Sequence, residues 1–304
     1  MIIAITGGGG FIGSLLVDKH LKQGDQVRLL SRNTLLERKN LQYFFGDLSN
    51  LSVDLSDFVN GVDILYHCAG EVNNKSLMQE LHVNGTQRLV DVAQGKIGRW
   101  VQLSSVGVYG ACRDGTITED SNEQPFGIYE QTKTESDKIV KNSGIPCVIL
   151  RPSNIFGIDM PNQSLKGLLR TIQKGLFFYI GKENKSLVNY VHIADVVEAL
   201  ICCGSDDKAL GEVFNLSQSE TVEKMITSFA SGIGSDKKIL RFPEIVVRVL
   251  VSVFEKIPKF LLTSSRVDAL TGRCVYDSSK VQKKLGFKYS MTLEERFVLF
   301  SKQK

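Results

Sequence analysis

The length, composition and charge of the chain limit the kind of protein it can be. It has 304 residues, of which 42% are hydrophobic and 23% are charged, a balance typical of a globular protein with a large α/β domain and a smaller lobe. The formal net charge is only +4 and the basic residues are scattered, so no nucleic-acid partner is expected.

Short apolar runs alternate with helical patterns in the first half of the chain. The runs lack polar alternation, which is typical of strands buried on both faces of a sheet. The repeated β-α-β order predicts a doubly wound parallel sheet. The predicted strands are 2–6, 26–30, 41–45, 63–67, 100–104 and 147–150, and the predicted helices between them are 11–23, 77–93 and 128–142.

The first predicted strand runs into a glycine-rich turn. Gly7, Gly10 and Gly13 have the spacing G-x-x-G-x-x-G between a strand and an amphipathic helix, which is the context of a dinucleotide-binding loop. Glycines allow the sharp turn and the close approach of a pyrophosphate, and the helix points its first amides at the phosphates. The sequence therefore predicts that residues 1–153 form an NAD(P)-binding Rossmann domain.

The end of the second predicted strand bears on the choice of dinucleotide. An enzyme selective for NAD usually places an acidic side chain here, on the ribose 2′-hydroxyl, but this chain has Ser31, Arg32 and Asn33. A guanidinium can hold the 2′-phosphate of NADP through two hydrogen bonds. Arg32 is thus a candidate cofactor contact and NADP is favoured over NAD; a solvent-facing arginine is the alternative.

Two further segments carry side chains suited to acid–base chemistry. Tyr129 and Lys133 lie four residues apart on one face of a predicted helix, where the ammonium should lower the pKa of the tyrosine from about 10. Ser104 ends a predicted strand and Ser105 follows it, at the edge where parallel sheets bind ligands. A hydroxyl there can hydrogen-bond a reacting oxygen, so these segments predict a catalytic site.

The second half of the chain is less regular. We expect residues 154–304 to form a smaller, mostly helical substrate lobe, with the part near 190–216 returning to the main sheet. Residues 245–262 are aliphatic but interrupted by charges and a proline, so we expect a partly buried helix and no membrane contact; interfacial membrane binding is the alternative. The predicted helices are 165–175, 193–203, 222–231, 244–254, 279–285 and 293–300, with a strand at 212–216.

The cysteines and the first residues indicate a reducing compartment. None of the six cysteines forms a C-x-x-C pair or lies near a histidine at zinc-ligand spacing, so we expect free thiols and no metal site. The first residues lack the basic region and cleavage site of a signal peptide. We therefore expect a cytoplasmic protein.

Together these motifs resemble those of the extended short-chain dehydrogenases/reductases, the superfamily of nucleotide-sugar epimerases, dehydratases and reductases. Residues 6–13 resemble its T-G-x-x-G-F-I-G, residues 104–110 its S-S-x-x-V-Y-G, and residues 151–157 its R-P-x-N-V-Y-G. The resemblance covers nearly the whole chain, with further matches at 46–48, 67–70, 190–196 and 279–287.

The resemblance implies roles for individual residues. It places the catalytic hydroxyl at Ser105 beside Tyr129 and Lys133, an adenine contact at Asp47 and a substrate contact at Asn154. Ser105 and Asn154 are then the substrate-binding residues, and Lys133 also holds the nicotinamide ribose. With Arg32, the predicted cofactor-binding residues are Gly7, Gly10, Phe11, Ile12, Gly13, Arg32, Asp47, Leu48, Ala69 and Lys133.

The sequence departs from the family pattern in three places. His82 replaces an asparagine of N-V-x-G-T, so the role of that asparagine cannot be transferred. Val188 and Asn189 stand where many nucleotide-sugar enzymes have an arginine on the pyrophosphate. Val106 and Gly107 replace the Asp-Glu pair of the 4,6-dehydratases, which argues against dehydration.

The expected function is NAD(P)-dependent hydride transfer at a carbinol or keto carbon. A ketoreductase acting on a nucleotide sugar or a similar small carbonyl compound is favoured. The alternatives are a nucleotide-sugar 4-epimerase that retains NAD and a non-catalytic dinucleotide-sensing or assembly protein. By resemblance, we also expect a homodimer in which helices 77–93 and 128–142 pair across a two-fold axis.

Overall fold

The computed structural model describes residues 1–33, 38–50, 53–254 and 262–303. In chain order, its strands are β1 (Ile2–Thr6), β2 (Gln26–Ser31), β3 (Leu41–Phe45), β4 (Val62–His67), β5 (Ile97–Leu103), β6 (Asp114–Ile117), β7 (Cys147–Pro152), β8 (Asn154–Phe156), β9 (Phe178–Ile180), β10 (Leu187–His192), β11 (Val213–Leu216), β12 (Gln218–Thr221), β13 (Leu240–Phe242) and β14 (Arg273–Tyr276). Its helices are α1 (Phe11–Lys22), α2 (Ser56–Val59), α3 (Lys75–Met78), α4 (Gly85–Ala93), α5 (Ile128–Asn142), α6 (Ser164–Lys174), α7 (Ile193–Ser205), α8 (Val222–Ile233), α9 (Glu244–Phe254), α10 (Ser264–Thr271), α11 (Ser279–Leu285) and α12 (Leu293–Lys302).

The main sheet has seven parallel strands in the order β11-β7-β5-β4-β1-β2-β3. Its central strands are buried on both faces, as their continuous apolar sequences predict. The strand order reverses between β1 and β4, and ligands of such sheets bind outside the carboxyl ends of the strands at that point. The predicted doubly wound Rossmann architecture is confirmed.

Helices cover both faces of this sheet and create two cores. On one face, Leu16 of α1, Leu200 of α7 and Val281 of α11 are buried against the strands. On the other face, Leu89 of α4 and Val140 of α5 pack around Trp100, which is fully buried. The second core therefore holds α5, which carries Tyr129 and Lys133, against the sheet.

The predicted helix 77–93 is divided into three parts. A π-helical turn, Gln79–Asn84, separates α3 from α4, and the Thr86 hydroxyl donates to the His82 carbonyl oxygen at 2.5 Å. A Cβ on Gly85 would lie 3.2 Å from the Leu48 carbonyl oxygen, so the helix runs close to the loop after β3. The wider turn places His82 inside the protein, and such turns often occur at functional sites.

The second half of the chain contains more strands than the sequence predicts. The sheets β12-β10-β8, β13-β9 and β14-β6 accompany the expected helices. Their strands have three to six residues and no strict alternation of apolar and polar side chains, so local sequence carries little signal. The chain passes repeatedly between the main sheet and these small sheets, at junctions that include β5–β6, β6–α5, β7–β8, β10–α7, β11–β12 and β14–α11.

Helix α9 forms where the sequence predicts a helix. Residues 255–261 of the aliphatic segment 245–262 lie outside the described residues. Within the described ranges, every helix is too short or too polar to cross a membrane. The cysteines in this part of the chain are free thiols, and no group of three or more His, Cys, Asp or Glu side chains in it could hold a metal ion.

Candidate active site

The glycine loop joins β1 to α1 where the strand order reverses. Gly7 has a φ of +69°, which side chains other than glycine rarely adopt, and a Cβ there would lie 2.7 Å from the Ala69 nitrogen. A Cβ on Gly13 would lie 2.3 Å from the Gly7 carbonyl oxygen. Helix α1 itself has no capping side chain and no acidic residue in its first turn, so its first amides suit an anion. The loop fits a dinucleotide pyrophosphate.

Asp47 and Arg32 lie together beyond the end of β2. Burial raises the pKa of Asp47, but hydrogen bonds from Ser49 and the charge of Arg32 outweigh it and lower the pKa. The Ser49 amide and hydroxyl donate to Asp47 Oδ1 at 2.9 and 2.6 Å. Arg32 Nη1 lies 3.8 Å from Asp47 Oδ2, and 74% of the arginine side chain is exposed. The guanidinium is thus accessible to a ligand.

The apolar residues of the predicted cofactor set surround the same loop. The Ala69 amide donates to the Thr6 hydroxyl at 3.2 Å, which holds the segment after β4 against the end of β1. Leu48 is buried in the core beside α4, and Ile12 packs in the core beside α7. Phe11 packs toward the C-terminal half of the chain. The structure brings these residues to one edge of the sheet, and their contacts with a dinucleotide stay a prediction.

Ser105 and Tyr129 meet at this edge. Ser105 follows β5 by two residues, and its hydroxyl oxygen accepts the Gly107 amide at 3.0 Å, at the start of the 3-10 turn Val106–Tyr109. Tyr129 lies in the first turn of α5, and its phenol is close enough to the Ser105 side chain for that hydroxyl to lower its pKa. Two hydroxyl groups separated by 24 residues of chain thus come together where a parallel sheet binds its ligand.

The pKa of Tyr129 differs from the sequence-based expectation. Burial, followed by the charges of Glu130 and Asp137, raises the pKa to about 12, and the hydrogen bond with Ser105 only partly opposes this. The Lys133 ammonium is buried and donates to the Leu103 carbonyl oxygen at 2.6 Å. The expected lowering of the tyrosine pKa by lysine is therefore wrong in this structure, because burial of the phenol dominates.

A buried charged cluster, unpredicted from the sequence, lies one turn beyond Lys133. Asp137 Oδ2 accepts the Ser104 hydroxyl at 2.7 Å and Arg151 Nη2 at 3.1 Å. Arg151 also donates to Glu123 and, at 3.1 Å, to the Tyr109 hydroxyl. Burial raises the pKa of Asp137, although Arg151 and Lys133 oppose that effect. The cluster ties β5, β7 and α5 together directly behind the Ser105 loop.

His82 is buried beside Tyr129. Its Nε2 accepts the Glu71 amide at 2.8 Å, so the ring proton must be on Nδ1, which lies 2.8 Å from the Thr132 hydroxyl. The ring stands edge-on to Tyr129, with centroids 5.7 Å apart. Burial, followed by the charge of Lys133, lowers the pKa of His82 to about 4. A neutral imidazole therefore joins the loop after β4 to the helix that carries Tyr129.

Asn154 lies at the start of β8, in the segment that follows the end of β7. Its side-chain amide donates to the Asn189 carbonyl oxygen at 3.0 Å. The Asn189 side chain donates through Nδ2 to the Cys274 carbonyl oxygen at 2.8 Å and accepts the Ser219 hydroxyl at Oδ1 at 2.6 Å. Val188 is buried. Where many nucleotide-sugar enzymes have an arginine, this chain has two neutral residues engaged within the protein.

Comparison with known proteins identifies the family. The family model that matches residues 3–217 is described as the NAD dependent epimerase/dehydratase family. The chain belongs to this family. The matched residues of the chain include the glycine loop, Ser105, Tyr129, Lys133 and β11. The extended short-chain dehydrogenase/reductase membership indicated by the motifs is confirmed, and the chain is an enzyme of that type.

Relatives of the chain are named for different classes of molecule, a nucleotide sugar and a sterol. The chain is 28% identical to UDP-glucose 4-epimerase of Vibrio cholerae over 97% of its own length and 93% of that protein. It is 25% identical to the decarboxylating sterol-4-alpha-carboxylate 3-dehydrogenase of Mus musculus, over 96% of its length and 87% of that protein. The structure of UDP-glucuronic acid 4-epimerase from Bacillus cereus, in complex with UDP-glucuronic acid and NAD, superposes with a TM-score of 0.76 at 21% identity, covering 100% of this chain and 99% of that one.

Proposed function

We propose that the protein is a nucleotide-sugar 4-epimerase that uses NAD. The observation that carries this proposal is the contact between Ser105 and Tyr129 beside a loop that fits a dinucleotide. The full-length likeness to a UDP-glucose 4-epimerase supports the substrate class. Residues 1–153 would bind the dinucleotide, and residues 154–304 would form most of the substrate lobe.

The site residues divide the work between them. Tyr129 would exchange a proton with the substrate oxygen at C4, and Ser105 would donate a hydrogen bond to that oxygen. Near neutral pH a tyrosine with a pKa of about 12 is a proton donor. To act as a base it would need a cation close to the phenol. Bound NAD supplies the hydride acceptor and donor. Lys133 would hold the nicotinamide ribose, and Asn154 would contact the sugar.

A ketoreductase that uses NADPH is the second candidate, because of Arg32. Its exposed guanidinium stands where an NAD-selective enzyme usually carries an acidic side chain. The reductase needs the same proton donor, Tyr129, and differs in releasing its dinucleotide after each reaction. The neutral residues Val188 and Asn189 also favour a substrate held without an arginine at that position.

Incubation with UDP-glucose or UDP-galactose distinguishes the two candidates. The epimerase should interconvert the two sugars, measured by proton NMR, with no net change in nicotinamide absorbance. A ketoreductase should leave both sugars unchanged and consume NADPH in proportion to an added 4-keto sugar. If neither sugar class reacts while the protein binds the dinucleotide, the proposed substrate class is wrong.

Arg32→Ala tests the choice of dinucleotide. If Arg32 holds the 2′-phosphate, its loss should weaken NADP binding about 10- to 150-fold, from about 1.5–3 kcal/mol for a charge-assisted contact, and leave NAD binding nearly unchanged. Titration calorimetry with both cofactors measures this. Arg38→Ala is the matched control, since Arg38 pairs with Asp18 at 2.6 Å. Equal affinities of the unaltered protein for NADP and NAD would show that Arg32 does not hold the 2′-phosphate.

A further inference from the structure

An apolar face on α9 is exposed to solvent. Ile245, Val249 and Val253 are 78%, 59% and 62% exposed, and Val246 and Leu250 widen the row. These residues recur every three or four positions, so they lie on one side of the helix. Leu240 and Phe242, which precede the helix, are also exposed. We call these seven residues the α9 face.

The helix is firmly attached through its opposite side. Val247 and Val251 are buried, in a small core with Ile180 and Val267. Arg248, on the flank toward α10, donates to Glu244 at 2.7 Å and to Asp268 at 2.9 Å. The charged side chains of α9 are thereby engaged beside α10, which leaves the α9 face without a charge.

The α9 face also lacks polar groups that need a partner. Ser252 is the one hydroxyl residue of the helix, and its side chain donates to the Val249 carbonyl oxygen at 2.8 Å. The face consists of Ile, Val and Leu with one Phe. Protein interfaces favour Tyr, Trp, Met and Arg at their centres, so the composition suits lipid chains better than a protein partner.

Two exposed lysines precede this face. Lys237 and Lys238 are exposed just before it, and the Lys237 ammonium donates to the Gln173 carbonyl oxygen at 2.9 Å rather than to a carboxylate. From Asp236 to Asp268 the sequence has seven basic and four acidic side chains. An excess of positive charge beside an apolar helix face attracts an anionic lipid surface.

We propose that the α9 face docks the protein on the surface of an anionic membrane, with α9 lying in the plane of the interface. A second copy of the chain is a poorer partner, because a two-fold contact through this face would bring like charges together. The dimer expected by resemblance would form through α4 and α5 and would not use the α9 face. These two helices expose polar side chains, among them Gln87, Asp91, Gln131, Glu135 and Lys138.

Vesicle flotation tests the proposal. The unaltered protein should float with vesicles of equal parts phosphatidylglycerol and phosphatidylcholine, bind pure phosphatidylcholine more weakly, and be released as salt is raised. Val249→Glu with Val253→Glu should reduce the partition coefficient at least about tenfold, because two charges replace inserted apolar side chains. Dinucleotide affinity and melting temperature should be unchanged, since both positions are exposed.

Leu299→Glu is the matched control, because Leu299 is an exposed apolar residue on α12 and should leave flotation unchanged. Two outcomes would overturn the proposal. One is that the unaltered protein floats with neither vesicle. The other is that light scattering shows a dimer that the Val249/Val253 double substitution separates, with no lipid binding; the α9 face would then be a self-association surface.

Discussion

Tyr129→Phe should lower kcat by at least about 10²–10⁴-fold, the usual contribution of a positioned general acid or base. The substitution removes a single hydroxyl, and the ring keeps its edge-on contact with His82. Folding and dinucleotide affinity should therefore stay close to those of the unaltered protein. The measurement is single-turnover kinetics with whichever UDP-sugar or keto sugar reacts, together with a titration of the dinucleotide.

Tyr66→Phe provides the control for removal of a buried tyrosine hydroxyl. Tyr66 Oη is buried without a hydrogen-bond partner among the described residues, so its loss should leave activity unchanged. If Tyr129→Phe retained more than about a tenth of the normal kcat, the proton-transfer role of Tyr129 would be wrong. The dinucleotide loop and the family membership would be unaffected by that result.

Arg151→Met should give the largest loss of stability. It leaves Asp137 and Glu123 without the guanidinium that binds both, and breaking a buried ion pair on one side costs about 3–5 kcal/mol. At about 2–4 °C per kcal/mol, the melting temperature should fall by about 6–20 °C. Adding Asp137→Leu should recover part of the loss, because both buried charges are then absent.

The effect of Arg151→Met should also depend on pH. Burial raises the folded-state pKa of Asp137, so the folded protein holds this proton more tightly than the unfolded chain. The stability contribution of Asp137 is therefore lost as the pH rises from the unfolded pKa toward the folded one. Removal of Arg151 raises the folded pKa further, so the deficit in melting temperature should shrink as the pH is lowered.

Thermal unfolding across a pH series measures this effect. Arg248→Met is the control, because Arg248 also binds two carboxylates but is partly exposed, and exposed pairs contribute about 0–1 kcal/mol. A deficit for Arg151→Met no larger than that of Arg248→Met would show that the buried cluster does not hold the strands and α5 together.

The sequence reveals those parts of the fold that follow local rules. The main strands and α1 could be predicted because continuous apolar runs, a glycine turn and an amphipathic helix each leave a pattern within a few residues. The family match over residues 3–217 confirms the family membership that the motifs at 6–13 and 104–110 indicate. The pairing of β6 with β14 leaves no such pattern, since Asp114 and its partner Arg273 are far apart in the chain.

The electrostatics of the site could not be predicted, because burial is a property of the whole fold. Spacing along a helix indicates that Lys133 is near Tyr129, but it does not show that the phenol is buried or that Asp137 lies on the same helix face toward the interior. Arg151 and Asp137 are fourteen residues apart, on a strand and on a helix. The sequence indicates His82 only by its difference from the family pattern. Its hydrogen-bond partners, the Glu71 amide and the Thr132 hydroxyl, lie on a loop and a helix that are far apart in the chain.

The repeated passages of the chain between the main sheet and the small sheets restrict how a substrate can enter. A hinge works when one or two connections absorb the rotation. Here at least six connections, together with the β6–β14 ladder, would have to bend at once. We therefore expect no wide opening between the main sheet and the small sheets. A substrate should instead enter through small movements of loops, such as the segment after β4 that is hydrogen-bonded to His82.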